Sequence, residues 1–120
     1  MKILVVDDSF AMRMMVVRTL RQAGIDTGDI EQAEDGSVAL EMIRENEPDL
    51  VLSDWNMPNM TGIELLRALR EEGIEVMFGF ITTETNIELR TQATEAGAKF
   101  MVVKPFSAEA FEKVMAYIGA

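Results

Sequence analysis

The sequence predicts an α/β domain: a doubly wound parallel sheet of five strands with five flanking helices. Three observations predict it. Short apolar runs of four to six residues alternate with longer amphipathic stretches along the whole chain. Capping or turn residues stand at most junctions between them. Strands alternating with helices favour parallel pairing, which needs both faces of the sheet covered. A length of 120 residues suits one domain spanning 1–120, large enough to bury its own core.

The elements follow in order. Ile3 to Val6 is a buried strand that ends at Asp7. Ser9 can cap a helix with Met12, Val16, Leu20 and Ala23 on one stripe, and Gly24 is placed to end it. Ile30 to Ala33 is a weaker strand mixed with charge, best tolerated at a sheet edge. Ser37 can cap the second helix, which turns Leu40 and Ile43 inward, and Pro48 closes the connection. Asp49 to Ser53 is the third strand and ends at Asp54. Gly62 to Glu72 is a helix with Leu65, Leu66 and Leu69 on one face. Val76 to Ile81 is the fourth strand, ending at Thr82, and Gly79 within it is expected to weaken the sheet. From Glu84 to Ala96 only Leu89, Ala93 and Ala96 are in helical register, so this helix is a candidate for movement. Either Thr82 or Thr83 can cap it, and Gly97 stops it. Phe100 to Val103 is the fifth strand, ending at Lys104, and Ser107 opens a last helix with Phe111, Val114, Met115 and Ile118 inward.

Composition narrows the chemistry. The net charge of −10 argues against nucleic acid and anionic membranes as partners. No apolar run approaches the roughly 20 residues that span a bilayer, so a cytoplasmic location is expected. The chain has no Cys, which removes disulfides, thiol catalysis and zinc–thiolate sites. It has no His, which removes Ser-His-Asp triads and imidazole ligands. A metal would be held by oxygen, favouring Mg²⁺, Mn²⁺ or Ca²⁺. The ten methionines read mostly as core filler.

The polar residues cluster by position. Asp7 and Asp8, Asp54, Thr82 and Lys104 each follow an apolar strand. In an open parallel sheet those carboxyl ends share one edge, and ligands bind where the strand order reverses. In the flavodoxin-like order 2-1-3-4-5, strands one and three flank that point, and Asp7, Asp8 and Asp54 share a pocket. Two carboxylates about 4 Å apart repel by roughly 4 kcal/mol at an effective dielectric near 20. A hard dication and Lys104 are the available remedies. One or two carboxylates, a carbonyl and waters describe Mg²⁺, which also suits phosphoryl transfer. Singly, each residue has a plainer reading: solvated acids at a helix start, a turn-forming Asp54, a surface Lys104, and Trp55 as surface packing or a neighbour of the pocket without chemistry.

Together the residues resemble the receiver domain of two-component response regulators, over essentially the whole chain and most of all its single-domain chemotaxis members. The matching pieces are Val5-Val6-Asp7-Asp8-Ser9, Ala33-Glu34-Asp35-Gly36, Ser53 through Gly62, Thr82, and Val103-Lys104-Pro105-Phe106. The resemblance implies that Asp54 accepts a phosphoryl group from a phosphohistidine on a chemotaxis-type histidine kinase. It implies that Asp7, Asp8, Asp54 and the Asn56 carbonyl hold Mg²⁺, and that Thr82 and Lys104 contact the phosphoryl group. Asn56 and Glu84 stand where the family tunes hydrolysis of the acyl phosphate, and the Lys104–Pro105 bond is expected to be cis. The implied partners are that kinase, a flagellar motor switch protein and a phosphatase, with the chain itself a monomer and not an enzyme acting on a separate substrate.

Two positions depart from the family pattern. Met101 occupies the switch position of the fifth strand, where an aromatic ring is usual. That counts against ring-burial switching and standard docking to the motor. Thr83 stands where a small residue is usual, and its β-branched side chain is expected to slow access to the site. Two other functions stay open. One is a phosphate sink or phosphorylation-independent interaction module. The other is a Mg²⁺-dependent phosphatase with an Asp nucleophile, although such enzymes carry Asp-x-Asp after their first strand and this chain has Asp7-Asp8-Ser9.

Overall fold

The computed structural model describes residues 1–83 and 86–119. Its elements are β1 (Ile3–Val6), α1 (Phe10–Gln22), β2 (Ile30–Ala33), α2 (Gly36–Glu45), β3 (Leu50–Ser53), α3 (Gly62–Glu71), β4 (Met77–Thr82), α4 (Ile87–Ala96), β5 (Phe100–Val103) and α5 (Ala108–Tyr117). The strands form one sheet in the order β2-β1-β3-β4-β5, all parallel, with the charged β2 at an edge. The register pairs Val6 with Ser53 and Thr82 with Val103, so the strands finish side by side and their following residues emerge along one edge.

The sheet separates two cores. Leu4, Val6, Val51, Phe78 and Phe80 face α2, α3 and α4. Ile3, Val5, Leu50, Leu52 and Ile81 face α1 and α5, where Leu20 and Phe111 are fully buried. β1 and β3 are buried throughout, as a central parallel strand must be.

The starts of α1 and α5 match their sequence signals, two others differ, and the Thr61 cap of α3 was not singled out from sequence. Ser9, Thr61 and Ser107 cap α1, α3 and α5 through their side chains. α2 is capped by Asp35 rather than Ser37: the Asp35 carboxylate accepts from Val38 N at 2.9 Å, and the Ser37 hydroxyl donates to the same oxygen. α4 begins after Asn86, whose side chain accepts from Glu88 N at 2.7 Å. Thr83 lies four residues before the helix, too far to reach its first free amides. Gly97 ends α4 in the left-handed region at φ 106°.

Packing bears on three further residue readings. Trp55 is buried, with its ring 4.7 Å from that of Phe80, because the chain turns back under the sheet edge after Asp54. Of the ten methionines only Met57 and Met115 are buried, and Met42, Met60, Met77 and Met101 cover the core from its margins. Gly79 is not a weak point left open. It pairs with Phe100, and a Cβ at Gly79 would lie 2.1 Å from that ring. The aromatic ring fills the space the glycine vacates, so the pair packs as one unit.

Candidate functional site

The ends of β1, β3, β4 and β5 deliver the groups of the site. Asp7 follows β1 and is buried, its Oδ1 accepting from Ser9 N at 2.9 Å. That bond ties the first acid to the residue that caps α1. Asp54 follows β3, anchored by its own amide, which donates to the Val6 carbonyl at 2.9 Å. Its Oδ1 accepts from Trp55 N at 2.7 Å. Asp8 is exposed at the mouth of the same pocket. Carboxylate oxygens of Asp7, Asp8 and Asp54 all lie within 4.8 Å of one another.

Lys104 enters from β5. Its Nζ lies 3.1 Å from Asp7 Oδ2 and 3.5 Å from Asp54 Oδ2, with all three side chains largely shielded from water. Its backbone amide donates to the Thr82 carbonyl at 2.8 Å, which locks the ends of β4 and β5 together. The bond from Lys104 to Pro105 is cis, as the resemblance implied. Thr82 is fully buried at the end of β4. Asn56 is exposed in the β3–α3 loop two residues after Asp54. Glu84 lies outside the described residues.

The electrostatics follow from crowding. Burial pushes the Asp54 carboxyl above the ordinary carboxylate range, and the nearby Asp7 charge adds to this, while the Lys104 ammonium pulls the other way. One ammonium faces three acids, so the pocket retains an excess of negative charge. An all-oxygen set of that charge and spacing fits a hard dication such as Mg²⁺.

Arg13 was not singled out by sequence reasoning. Its guanidinium donates to the Asp7 carbonyl at 2.6 Å and to Gln32 Oε1 at 3.0 Å, and it packs on the Phe10 ring. The only available signal was its place on the first turns of α1, and that does not reveal which carbonyl it reaches. Thr83 lines a cleft with Met12, Lys104 and Phe106 beside the pocket. A cleft of 830 Å³ lies at the opposite end of the sheet between Pro48, Arg70, Val76 and Lys99. Arg70 there donates to the carbonyls of Ile74, Val76 and Gly97, so its donors serve the fold.

An open parallel sheet with an acidic pocket and a lysine at its switch point defines a class of regulatory α/β domains. The model of the response regulator receiver domain matches residues 3–116, and the chain belongs to that family. It is 42% identical over 110 residues to the chemotaxis protein CheY-3 of Vibrio cholerae, covering 90% of this chain and 83% of that one. It is 39% identical to the chemotaxis protein CheY of Pseudomonas aeruginosa, covering 94% of this chain and 91% of the relative. Among solved structures, the chemotaxis response regulator CheY4 of Vibrio cholerae superposes with a TM-score of 0.84 at 37% identity, over 98% of this chain and 97% of that one. The receiver is thus of the kind found in CheY-type chemotaxis regulators.

Proposed function

We propose that the chain is a phosphorylation switch in which Asp54 takes a phosphoryl group from a histidine kinase and the charged form changes its affinity for a protein partner. The observation that carries this reading is the meeting of Asp7, Asp8 and Asp54 around Lys104 at the sheet's carboxyl edge. Asp7, Asp8, Asp54 and the Asn56 carbonyl would hold Mg²⁺, which when bound neutralises charge on the phosphoryl oxygens. A carboxylate oxygen of Asp54 attacks phosphorus in line. The bond to the donor imidazole nitrogen breaks, a mixed anhydride forms, and the imidazole leaves with the electron pair. Lys104, already 3.5 Å from Asp54, pairs with the incoming charge, and the Thr82 hydroxyl donates to a phosphoryl oxygen. Burial leaves the Asp54 carboxylate poorly hydrated, which suits a nucleophile.

The added charge draws on Thr82 and Lys104, at the ends of β4 and β5. α4 and the strand around Met101 then shift toward a second arrangement that the partner prefers. A full switch of populations requires roughly 5.5 kcal/mol of differential binding. Chemotaxis control is the setting, with a flagellar switch protein as the partner class, in the cytoplasm and as a monomer. No helix among the described residues is long and apolar enough to cross a membrane. Asn56 and Glu84 set the lifetime of the acyl phosphate. Met101, partly buried against the α4-side core, offers no ring to swing. It gives ground to a second reading, a phosphate sink or phosphorylation-independent module.

Trp55 reports on the site, since its amide touches Asp54. Millimolar Mg²⁺ should change its fluorescence, and a small phosphodonor should change it further. Asp54→Asn should abolish the second response; phosphate uptake by that variant would refute the assignment. Partner capture that is indifferent to beryllofluoride would favour the module.

A further inference from the structure

The loop from 54 to 61 contains Asp54 and Asn56, and the β2–α2 corner holds it from the side. Asp35 divides its carboxylate between two tasks. Oδ1 caps α2, accepting from Val38 N at 2.9 Å and from the Ser37 hydroxyl at 2.7 Å. Oδ2 reaches across to the loop and accepts from Asn59 Nδ2 at 2.8 Å. Beside it, Gly36 N donates to the Met60 carbonyl at 3.2 Å. The corner and loop touch so closely that a Cβ on Gly36 would lie 2.6 Å from the Met60 oxygen.

Asn59 adopts φ +65°, a left-handed conformation that Asn tolerates better than most side chains. Among the described residues no other residue except glycine has a positive φ. Asp35 is only 5% exposed, and its bonds to Ser37, Val38 and Asn59 hold its carboxyl down to about 2, so it accepts as an anion across the physiological range. At the loop's base, Gly62 N donates to the Trp55 carbonyl at 2.8 Å. Asn56 stands between that base and the Asn59 contact.

We infer that the Asp35–Asn59 hydrogen bond is a positioning latch, fixing the loop that contains Asn56 and so setting how tightly the acidic pocket holds a divalent cation. The inference rests on the cation reading proposed above. Neither residue touches the pocket; both act through the loop. A loop left free would have to be ordered by the cation, and that ordering weakens binding.

Two substitutions isolate the latch. Asn59→Gly keeps the positive φ, removes the amide and changes no charge. Asp35→Ser keeps an oxygen to cap α2 and removes the acceptor facing Asn59. Mg²⁺ titrations of the full chain by Trp55 fluorescence should show binding weakened about tenfold by each. The double variant should bind no more weakly than Asp35→Ser alone. Ser37→Ala, which touches Asp35 but not the loop, should stay within about twofold of the unsubstituted chain. Without metal, the Gly36 amide should exchange with solvent faster in Asn59→Gly, a readout independent of the cation. Unchanged Mg²⁺ affinity in Asn59→Gly would overturn the latch, and weakening by Asp35→Ser alone would mean that charge acts instead. Failure of the unsubstituted chain to bind Mg²⁺ would overturn the cation reading and the latch with it.

Discussion

α3 and α4 are neighbours of ten residues each on the same face of the sheet, yet they are held very differently. α3 opens with a complete capping box between Thr61 and Glu64 and buries Gly62, Ile63, Leu65, Leu66 and Leu69. α4 buries Ala93 and leaves Ile87 80% exposed. The start of α3 also underlies the site: a Cβ on Gly62 would come 2.2 Å from the Asp54 carbonyl oxygen. The helix that underlies Asp54 is bolted down, and the helix after Thr82 is anchored by little. On the switch reading proposed above, the first serves as a fixed platform and the second as an element that moves at little cost.

The contrast can be broken by measurement, and the largest effect should come from the cores of the two helices. Leu66→Ala should cost about 3 kcal/mol in denaturant unfolding, and Leu89→Ala less than about 1 kcal/mol. Equal losses would remove the basis for calling α4 loosely held. Gly62→Ala should cost about 2 kcal/mol and also displace Asp54, so that Mg²⁺ no longer alters Trp55 fluorescence. Retained Mg²⁺ response in that variant would show that the platform tolerates movement.

The next effect is a gain. Folding raises the Asp54 pKa, so its ionised form opposes folding above that value and does not below the ordinary 3.8. Asp54→Asn should therefore stabilise the metal-free protein at neutral pH, seen as a higher Tm. The difference should vanish below about pH 4. Asp35 gives the opposite sign. Its folded pKa of about 2 lies below the ordinary 3.8, so its contribution is complete above that value and fades as pH falls through about 2. Acid titration of Asp35→Ser should show a shallower loss of stability between those values than the unsubstituted chain.

Much of this molecule was legible from local pattern. Apolar runs placed the strands within a residue or two, and Ser9 and Ser107 marked helix starts, because a strand's burial and a cap's side chain leave their trace in neighbouring residues. The acids, Thr82 and Lys104 stood at strand ends in the sequence itself, and parallel topology carries strand ends to one edge. Where reading failed, the deciding partner lay elsewhere in the chain. Gly79 read as a weakness because Phe100, which fills its space, is 21 residues away. Ser37 read as the α2 cap because an Asp one residue before a glycine competes for the same role, and the bond from Asn59 favours Asp35. Trp55 read as surface packing or as a neighbour of the pocket, and its burial went unread because nothing local announces the Phe80 ring.

By itself, the sequence determined the α/β class, the order of elements and the identities of the groups at the sheet edge, since these depend on periodicity and residue type alone. Tertiary structure decided how those groups meet: the distances from Lys104 to two acids, the brace of Arg13 on Asp7, and the reach of Asp35 to Asn59. Such contacts join residues up to 97 positions apart. Side-chain reach is a few ångströms, so only the folded sheet can bring them within it.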